Sequence, residues 1–305
     1  MNDYKDKFIE ETNYLNEIIG LLEYKIDLEK SKLEDKKAEL IESRRDMWEN
    51  TTHSSSDFDK LSDANQYLSA LQGQTLSYVD SAKLINKYER MLNRPYFARI
   101  DFTEEYYDDT EKIYIGLSTL MDEETHNIKV YDWRAPISSV YYRNEVGPVE
   151  YSAPAGIIKG CVSLKRQFKI NNGKMEYFFD SNLNIIDEML QETLSKNTSP
   201  SMKTIVETIQ KQQDLIIRDL DNELLIVQGV AGSGKTSVAL HRIAFLLYQG
   251  LNLKLKSNNI VIISPNNLFS KYISEVLPEL REEDVEELTF ENIFSRIFEN
   301  KIQIK

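Results

Sequence analysis

The segment LLIVQGVAGSGKTSVAL, residues 224–240, narrows the possible folds more than any other stretch, because its glycines and lysine suit one local architecture. Gly229, Val230, Ala231, Gly232, Ser233, Gly234, Lys235 and Thr236 satisfy the pattern G-x-x-x-x-G-K-[ST]. An apolar run precedes the pattern and an amphipathic run follows it, so the spacing predicts strand, loop and helix in that order. Such a loop turns its backbone N–H groups inward around phosphate oxygens, and the helix directs its positive end at the same point. Lys235 is expected to bridge the β- and γ-phosphates, and the Thr236 hydroxyl to ligate Mg²⁺, with Ser237 beside it. The helix closes at Gly250 and a second apolar run, IVIIS, follows. That β-loop-α-β order predicts a parallel pair with a helical crossover.

Upstream, the run TIQKQQDLIIRD carries Gln213 on a predicted helix spanning 202–220. A glutamine amide can donate to adenine N7 and accept from N6 together, which selects adenine over guanine. Hydrolysis needs more than this loop. A Walker B strand has to present acidic groups to the metal and the attacking water, and a second motor domain has to supply an arginine. Neither is recognisable in the sequence. The acidic run REEDVEEL, 281–288, has no apolar strand before it and reads as solvated surface. The expectation is therefore nucleotide binding with little turnover.

The first ninety-five residues have a different character. Ile19, Ile26, Leu33, Leu40 and Met47 recur at sevens, with Phe8, Leu15 and Leu22 interleaved. The interleaved seam turns polar at Glu29, Lys36 and Ser43, so the apolar stripe narrows along the helix. After TTHSSSDFD, a second periodic run carries Leu61, Ala64, Leu68, Leu71, Tyr78, Ala82, Ile85 and Leu92. Two such helices joined by a polar turn predict an antiparallel hairpin, and about 40 helical residues reach about 60 Å. Asn93-Arg94-Pro95 ends the pattern, since proline lacks the donor and biases its predecessor away from helix. Asp57, Asp59 and Asp63 cluster at the expected tip.

Beyond Pro95 the composition shifts to short runs rich in β-branched and aromatic residues: YFARIDF, KIYIGLS, IKVYDW, SSVYYR and KMEYFFD. These predict a small β-rich module, with Asn171-Asn172-Gly173 as its clearest hairpin turn. Within it, DWRAP places Trp133 for burial and Pro136 for a bend, while Asp132 and Arg134 either pair or face a partner. The predicted division is an antiparallel coiled-coil arm over 1–95, the β-rich module over 96–195, and a P-loop segment over 196–305. The fold class is an α/β P-loop NTPase with an incomplete RecA-like parallel sheet, preceded by the coiled-coil hairpin and the β-rich module.

Composition limits the partners. Lys plus Arg number 37 against 50 Asp plus Glu, and a net charge of −13 gives no general attraction to a phosphate backbone. Nucleic-acid binding would require a local patch. Cys161 is the only cysteine, so no internal disulfide forms, and the chain starts without a signal peptide's apolar core. No run approaches the ~20 apolar residues of a membrane span. A cytoplasmic location is the expectation. The three histidines show no ligand spacing.

Together the runs KTIVETIQKQQDLIIRD, VQGVAGSGKTSVALHRIAFLLY and IVIISPNNLFSKYISEVLPEL resemble the start of the first motor domain of superfamily 1 helicase-like ATPases. The segment YDWRAPISSVYY, with the arm ahead of it, resembles the HelD group of RNA polymerase-associated ATPases rather than the UvrD and Rep helicases. This resemblance implies ATP and Mg²⁺ as ligands, with Gln213 reading adenine, and RNA polymerase core as partner. It implies that the arm enters the polymerase secondary channel, where Asp57, Asp59 and Asp63 approach the catalytic Mg²⁺ or displace nucleic acid. It also implies the front portion of a protein whose complete relatives couple nucleotide turnover to release of polymerase. Two other readings stay open: the opening segment of a UvrD-type 3′–5′ DNA helicase, and a non-catalytic coiled-coil protein with a vestigial P-loop.

Overall fold

The computed structural model describes residues 2–50, 58–180, 209–230, 232–250, 255–265 and 285–298. Contacts divide the chain into two compact units, one of 1–96, 122–125 and 168–178, the other of 97–121, 126–167 and 179–305. The β-rich module thus lends two pieces to the unit of the helical hairpin, and its remainder lies in one unit with the P-loop segment.

In the first unit, α1 (Asn2–Asn50) and α2 (Phe58–Asn93) form the helical hairpin. Leu15, Ile18, Leu22 and Ile26 of α1 are buried, as are Ile85, Tyr88 and Met91 of α2. Ile18, three residues after Leu15 and four before Leu22, is buried at the centre of the seam, and the expected Ile19 is half-buried beside it. Past Ile26 the seam loosens, and of the later apolar positions Leu40 is buried while Ile41, Trp48, Leu68 and Leu76 are exposed. Polar ties take over there. Lys36 Nζ donates to Ser81 Oγ at 2.7 Å, and Lys30 pairs with Glu89 at 2.9 Å. Lys25, nearly buried, pairs with Glu123 at 2.6 Å.

The helix ends at Asn93 before Pro95, and Asn93 then anchors the β-hairpin turn. Its carbonyl accepts from Gly173 N at 2.9 Å and its Oδ1 accepts from Asn172 N at 2.6 Å. Asn172 and Gly173 have φ of 48° and 69°, the doubly positive pattern of a two-residue type I′ turn. A Cβ on Gly173 would meet Leu92 O at 3.1 Å, so glycine serves both conformation and close approach.

The sheet has seven strands: β1 (Ala98–Glu104), β2 (Thr110–Gly116), β3 (Leu120–Met121), β4 (Ile128–Asp132), β5 (Gly147–Ala153), β6 (Gly156–Asn171) and β7 (Lys174–Asp180). Their order is β3-β4-β2-β1-β6-β5, with β7 paired to β6. It is a mixed sheet, since β2 and β4 run parallel while β1 is antiparallel to both β2 and β6. SSVYYR, expected as a strand, is instead a 3₁₀ turn over Pro136–Ser138 running into α3 (Ser139–Arg143). Pro136 sets the first turn, and Ser138 Oγ donates to Asp132 O at 2.7 Å, which folds the segment back on β4. Val140, Tyr141 and Tyr142 are buried through this turn.

The P-loop segment departs from the expected sheet. LLIV forms no strand, and Leu224 and Ile226 are 80% and 74% exposed. IVIIS does supply a strand, β8 (Val261–Ser264), but its parallel partner is β9 (Glu286–Thr289), from the acidic run read as solvated surface. Burial deepens along the strand, from exposed Glu286 and half-buried Glu287 to buried Leu288 and Thr289. The helices expected over 182–194 and 268–280 lie outside the described residues. The described part of the 202–220 helix is α4 (Lys211–Ile217), and the P-loop helix is α5 (Lys235–Tyr248). α6 (Phe290–Phe298) follows β9.

Candidate functional site

Gly234 is the N-cap of α5, with φ of 81°, and Gly232 has φ of 80°. Both values lie where an L side chain is strained, so the loop needs glycine at these positions. A Cβ on Gly229 would stand 2.5 Å from Ser233 Oγ, so a larger residue there would displace that hydroxyl. Ser233 N donates to Val230 O at 3.2 Å, curling the loop over the start of α5. Lys235 Nζ reaches back into this curl and donates to Gly229 O at 2.9 Å and Val230 O at 2.7 Å. The ammonium is therefore held inside the ring of loop backbone, at the helix's positive end, in the place where an anion's charge would be met. Thr236 and Ser237 occupy the first turn of α5, both half-buried, and Val230 is exposed. Ala231 lies outside the described residues.

α4 brings Gln213 to the loop. The Gln213 Oε1 accepts from Gln210 N at 3.0 Å, fixing the amide, and its Nε2 lies 3.1 Å from where a Cβ on Gly234 would stand. Glutamine and P-loop are thus neighbours, although no sequence proximity required it. The next residue, Asp214, is fully buried and holds two arginines: Arg143 of α3 at 2.5 Å and Arg218 at 2.8 Å. Arg218 then donates to Arg134 O at 2.9 Å, Ala135 O at 3.2 Å and Trp133 O at 2.5 Å. One guanidinium therefore satisfies three carbonyls of the DWRAP turn, where the backbone leaves regular structure. From α5, Arg242 Nη1 donates to Ile216 O at 2.8 Å at the end of α4.

DWRAP completes the frame. Asp132 and Arg134 form a bidentate pair at 2.8 Å for both bonds, both residues being nearly fully buried. Arg134 also donates to Ala244 O of α5 at 3.3 Å, and its guanidinium lies 4.9 Å from the centre of the Tyr248 ring. Trp133, fully buried, meets the ring of His241 edge-on at 5.5 Å. A single apolar cluster runs from Phe97, Ile115 and Val140 through Trp133 to Val238, Leu240 and Phe245. The P-loop helix is thus packed on the β-rich module through residues more than a hundred positions away.

His241 gives this packing a pH dependence. Burial pushes its imidazole down from 6.5 to about 4, opposed in part by the bond between Nδ1 and Ser237 O at 2.6 Å. An unfolded chain takes up the proton below about 6.5, whereas the fold resists until about 4. Stability from this residue is whole above that window and falls as pH drops through it, by roughly 3 kcal/mol in total. Urea unfolding at pH 7 and pH 4.5 is expected to show a loss in the parent chain that is smaller by about 2 kcal/mol in His241→Phe, since the substitution removes this group's share.

The structure unites Gln213, Gly229, Val230, Gly232, Ser233, Gly234, Lys235, Thr236 and Ser237 around the start of α5. Asp57 lies outside the described residues, and Asp59 and Asp63 fall in α2, their side chains undescribed. Sequence reasoning missed Arg143, Asp214 and Arg218. Only Asp214 and Arg218 left a trace, at helical i,i+4 spacing. Among the described residues no group of three His, Cys, Asp or Glu is placed to hold a metal, and no helix is long and apolar enough to cross a membrane.

A family model described as DNA helicase IV HelD, N-terminal domain, matches residues 8–197. The match spans the helical hairpin and the β-rich sheet, DWRAP included, and ends before the P-loop. No curated protein matches the chain.

Proposed function

The chain belongs to the HelD family, and on that premise we propose that it is an ATP-binding factor that engages RNA polymerase core. The observation that carries this reading is the ring of loop backbone around Lys235 Nζ, at the start of α5, with the Gln213 amide against Gly234. Backbone N–H groups and one ammonium suit a triphosphate, and the glutamine supplies the group that reads adenine. Mg²⁺ would be held by Thr236 together with phosphate oxygens, supplying charge neutralisation. The HelD resemblance implies that nucleotide turnover is coupled to release of polymerase.

Polymerase binding fits the hairpin, whose exposed far half offers Ile41, Trp48, Leu68 and Leu76 among polar side chains. The test is a pull-down of purified RNA polymerase core by the immobilised chain, with and without ATP–Mg²⁺, beside Lys235→Ala. Retention of core by both chains, with only the parent responding to nucleotide, is the expected result. Absence of core on the parent chain would remove the polymerase half of the proposal.

A further inference from the structure

A second cavity lies away from the P-loop, on the sheet. It has a volume of about 300 Å³ and is lined by three tyrosines, Tyr107, Tyr131 and Tyr151, and three carboxylates, Glu104, Asp109 and Glu111. Phe102 forms part of the wall and meets Tyr151 edge-on at 6.0 Å, so the rings are fixed by packing. The carboxylates come from the end of β1, the β1–β2 turn and the start of β2, which the register places side by side: Phe102 opposes Glu111 and Thr103 opposes Thr110. In that turn Tyr106 adopts φ of 78°, uncommon for a residue with a Cβ, and Tyr107 N donates to Glu104 O at 3.1 Å. The tight turn sets Tyr107 among the residues that line the cavity.

The charges are one-sided. Among the described residues none of Glu104, Asp109 and Glu111 forms an ion pair with a basic side chain. The field they create is felt by the rings. The Tyr151 hydroxyl is pushed up to about 12, first by burial and then by Glu104, Tyr131 and Glu111. Tyr131 is raised as well, by burial and then by Glu111. Ring faces and carboxylates both favour a cation, and neither favours phosphate.

We propose that this pocket receives the guanidinium or ammonium head of a basic side chain from a peptide segment of a partner protein. Its size fits one such head. A wider groove of about 680 Å³ adjoins it, sharing Glu104 and Tyr107 and adding Glu105, Glu150 and one cation, Lys159, so carboxylates outnumber the lysine, and it offers room for the flanking peptide. Charge complementarity selects the occupant: a net −13 chain with an unpaired acidic, aromatic pocket takes a basic segment and repels nucleic acid.

The test uses the full chain and a fluorescein-labelled octapeptide of alternating arginine and serine, followed by fluorescence anisotropy. The citrulline peptide, equal in shape but uncharged, is expected to bind about tenfold more weakly or worse. Y107A and the double substitution E104Q/E111Q are each expected to lose about tenfold in affinity, while E34Q/D35N, which removes equal charge from α1, keeps it. Tyr107 is 66% exposed, so Y107A leaves the fold intact, which circular dichroism checks. Equal binding of the citrulline peptide, equal loss in E34Q/D35N, or undiminished binding by Y107A overturns the proposal, as does absence of binding at about 1 mM peptide.

Discussion

Asp214→Ala is expected to lower the unfolding free energy by about 3–5 kcal/mol in urea titration, the largest effect of any single polar substitution in the P-loop unit. The carboxylate is fully buried and is the ion-pair partner of Arg143 and Arg218. Removing it leaves two guanidinium groups facing each other, and Arg218, 6% exposed, has little water to turn to. Arg218 would also lose the partner that aims it at the carbonyls of Trp133, Arg134 and Ala135. Asp214→Asn keeps the shape and one acceptor oxygen, so its cost is smaller, about 2 kcal/mol. Arg143→Ala should cost less still, because that side chain is 31% exposed and leaves the Asp214–Arg218 pair standing. An Asp214→Ala chain as stable as the parent would show that the frame between α4 and DWRAP is held by apolar packing alone.

Trp133→Ala is expected to cost about 3–5 kcal/mol, by loss of ring burial and by the cavity left beside His241 and the P-loop helix. The informative contrast is Trp133→Phe. The indole Nε1 is buried with no hydrogen-bond partner among the described residues, so the smaller ring surrenders volume without surrendering a bond. Its cost should stay below about 1.5 kcal/mol. The same pair of variants separates packing from a polar role for the indole. A phenylalanine variant as unstable as the alanine one would contradict the packing account.

The parts of the fold that were legible are those governed by short-range rules. Heptad spacing found Leu15, Leu22, Ile26 and Leu40, Pro95 ended α2, and Asn172-Gly173 made its two-residue turn. Gly232 and Gly234 have φ near 80°, a conformation L side chains rarely adopt, which gives glycine a local reason at both positions. Composition misled where a turn overrode it. SSVYYR is rich in strand formers, yet Pro136 and the Ser138 hydroxyl turn it into a helix. The apolar run LLIV looked like a strand, but β structure needs a ladder partner, and β8 pairs with EELT instead.

The role of DWRAP was half visible. Its five residues allowed Asp132 and Arg134 to pair or face outward, and the structure selects the pair. Its grip on α5 was invisible, because Arg134 and Ala244 are separated by 110 positions and such pairing leaves no local periodicity. The same holds for the carboxylates around Tyr151, which came together only through the β1–β2 register.

The central claim is that the P-loop, with Gln213 set against it, binds ATP–Mg²⁺. Isothermal titration of the full chain tests it most directly, comparing ATP with GTP and the parent with Lys235→Ala and Gln213→Ala. Saturable heat with ATP, weakened about tenfold or more by Lys235→Ala, and a preference for ATP over GTP that Gln213→Ala erases, is the predicted result. Absence of heat with either nucleotide, or equal affinities across all three chains, would contradict it.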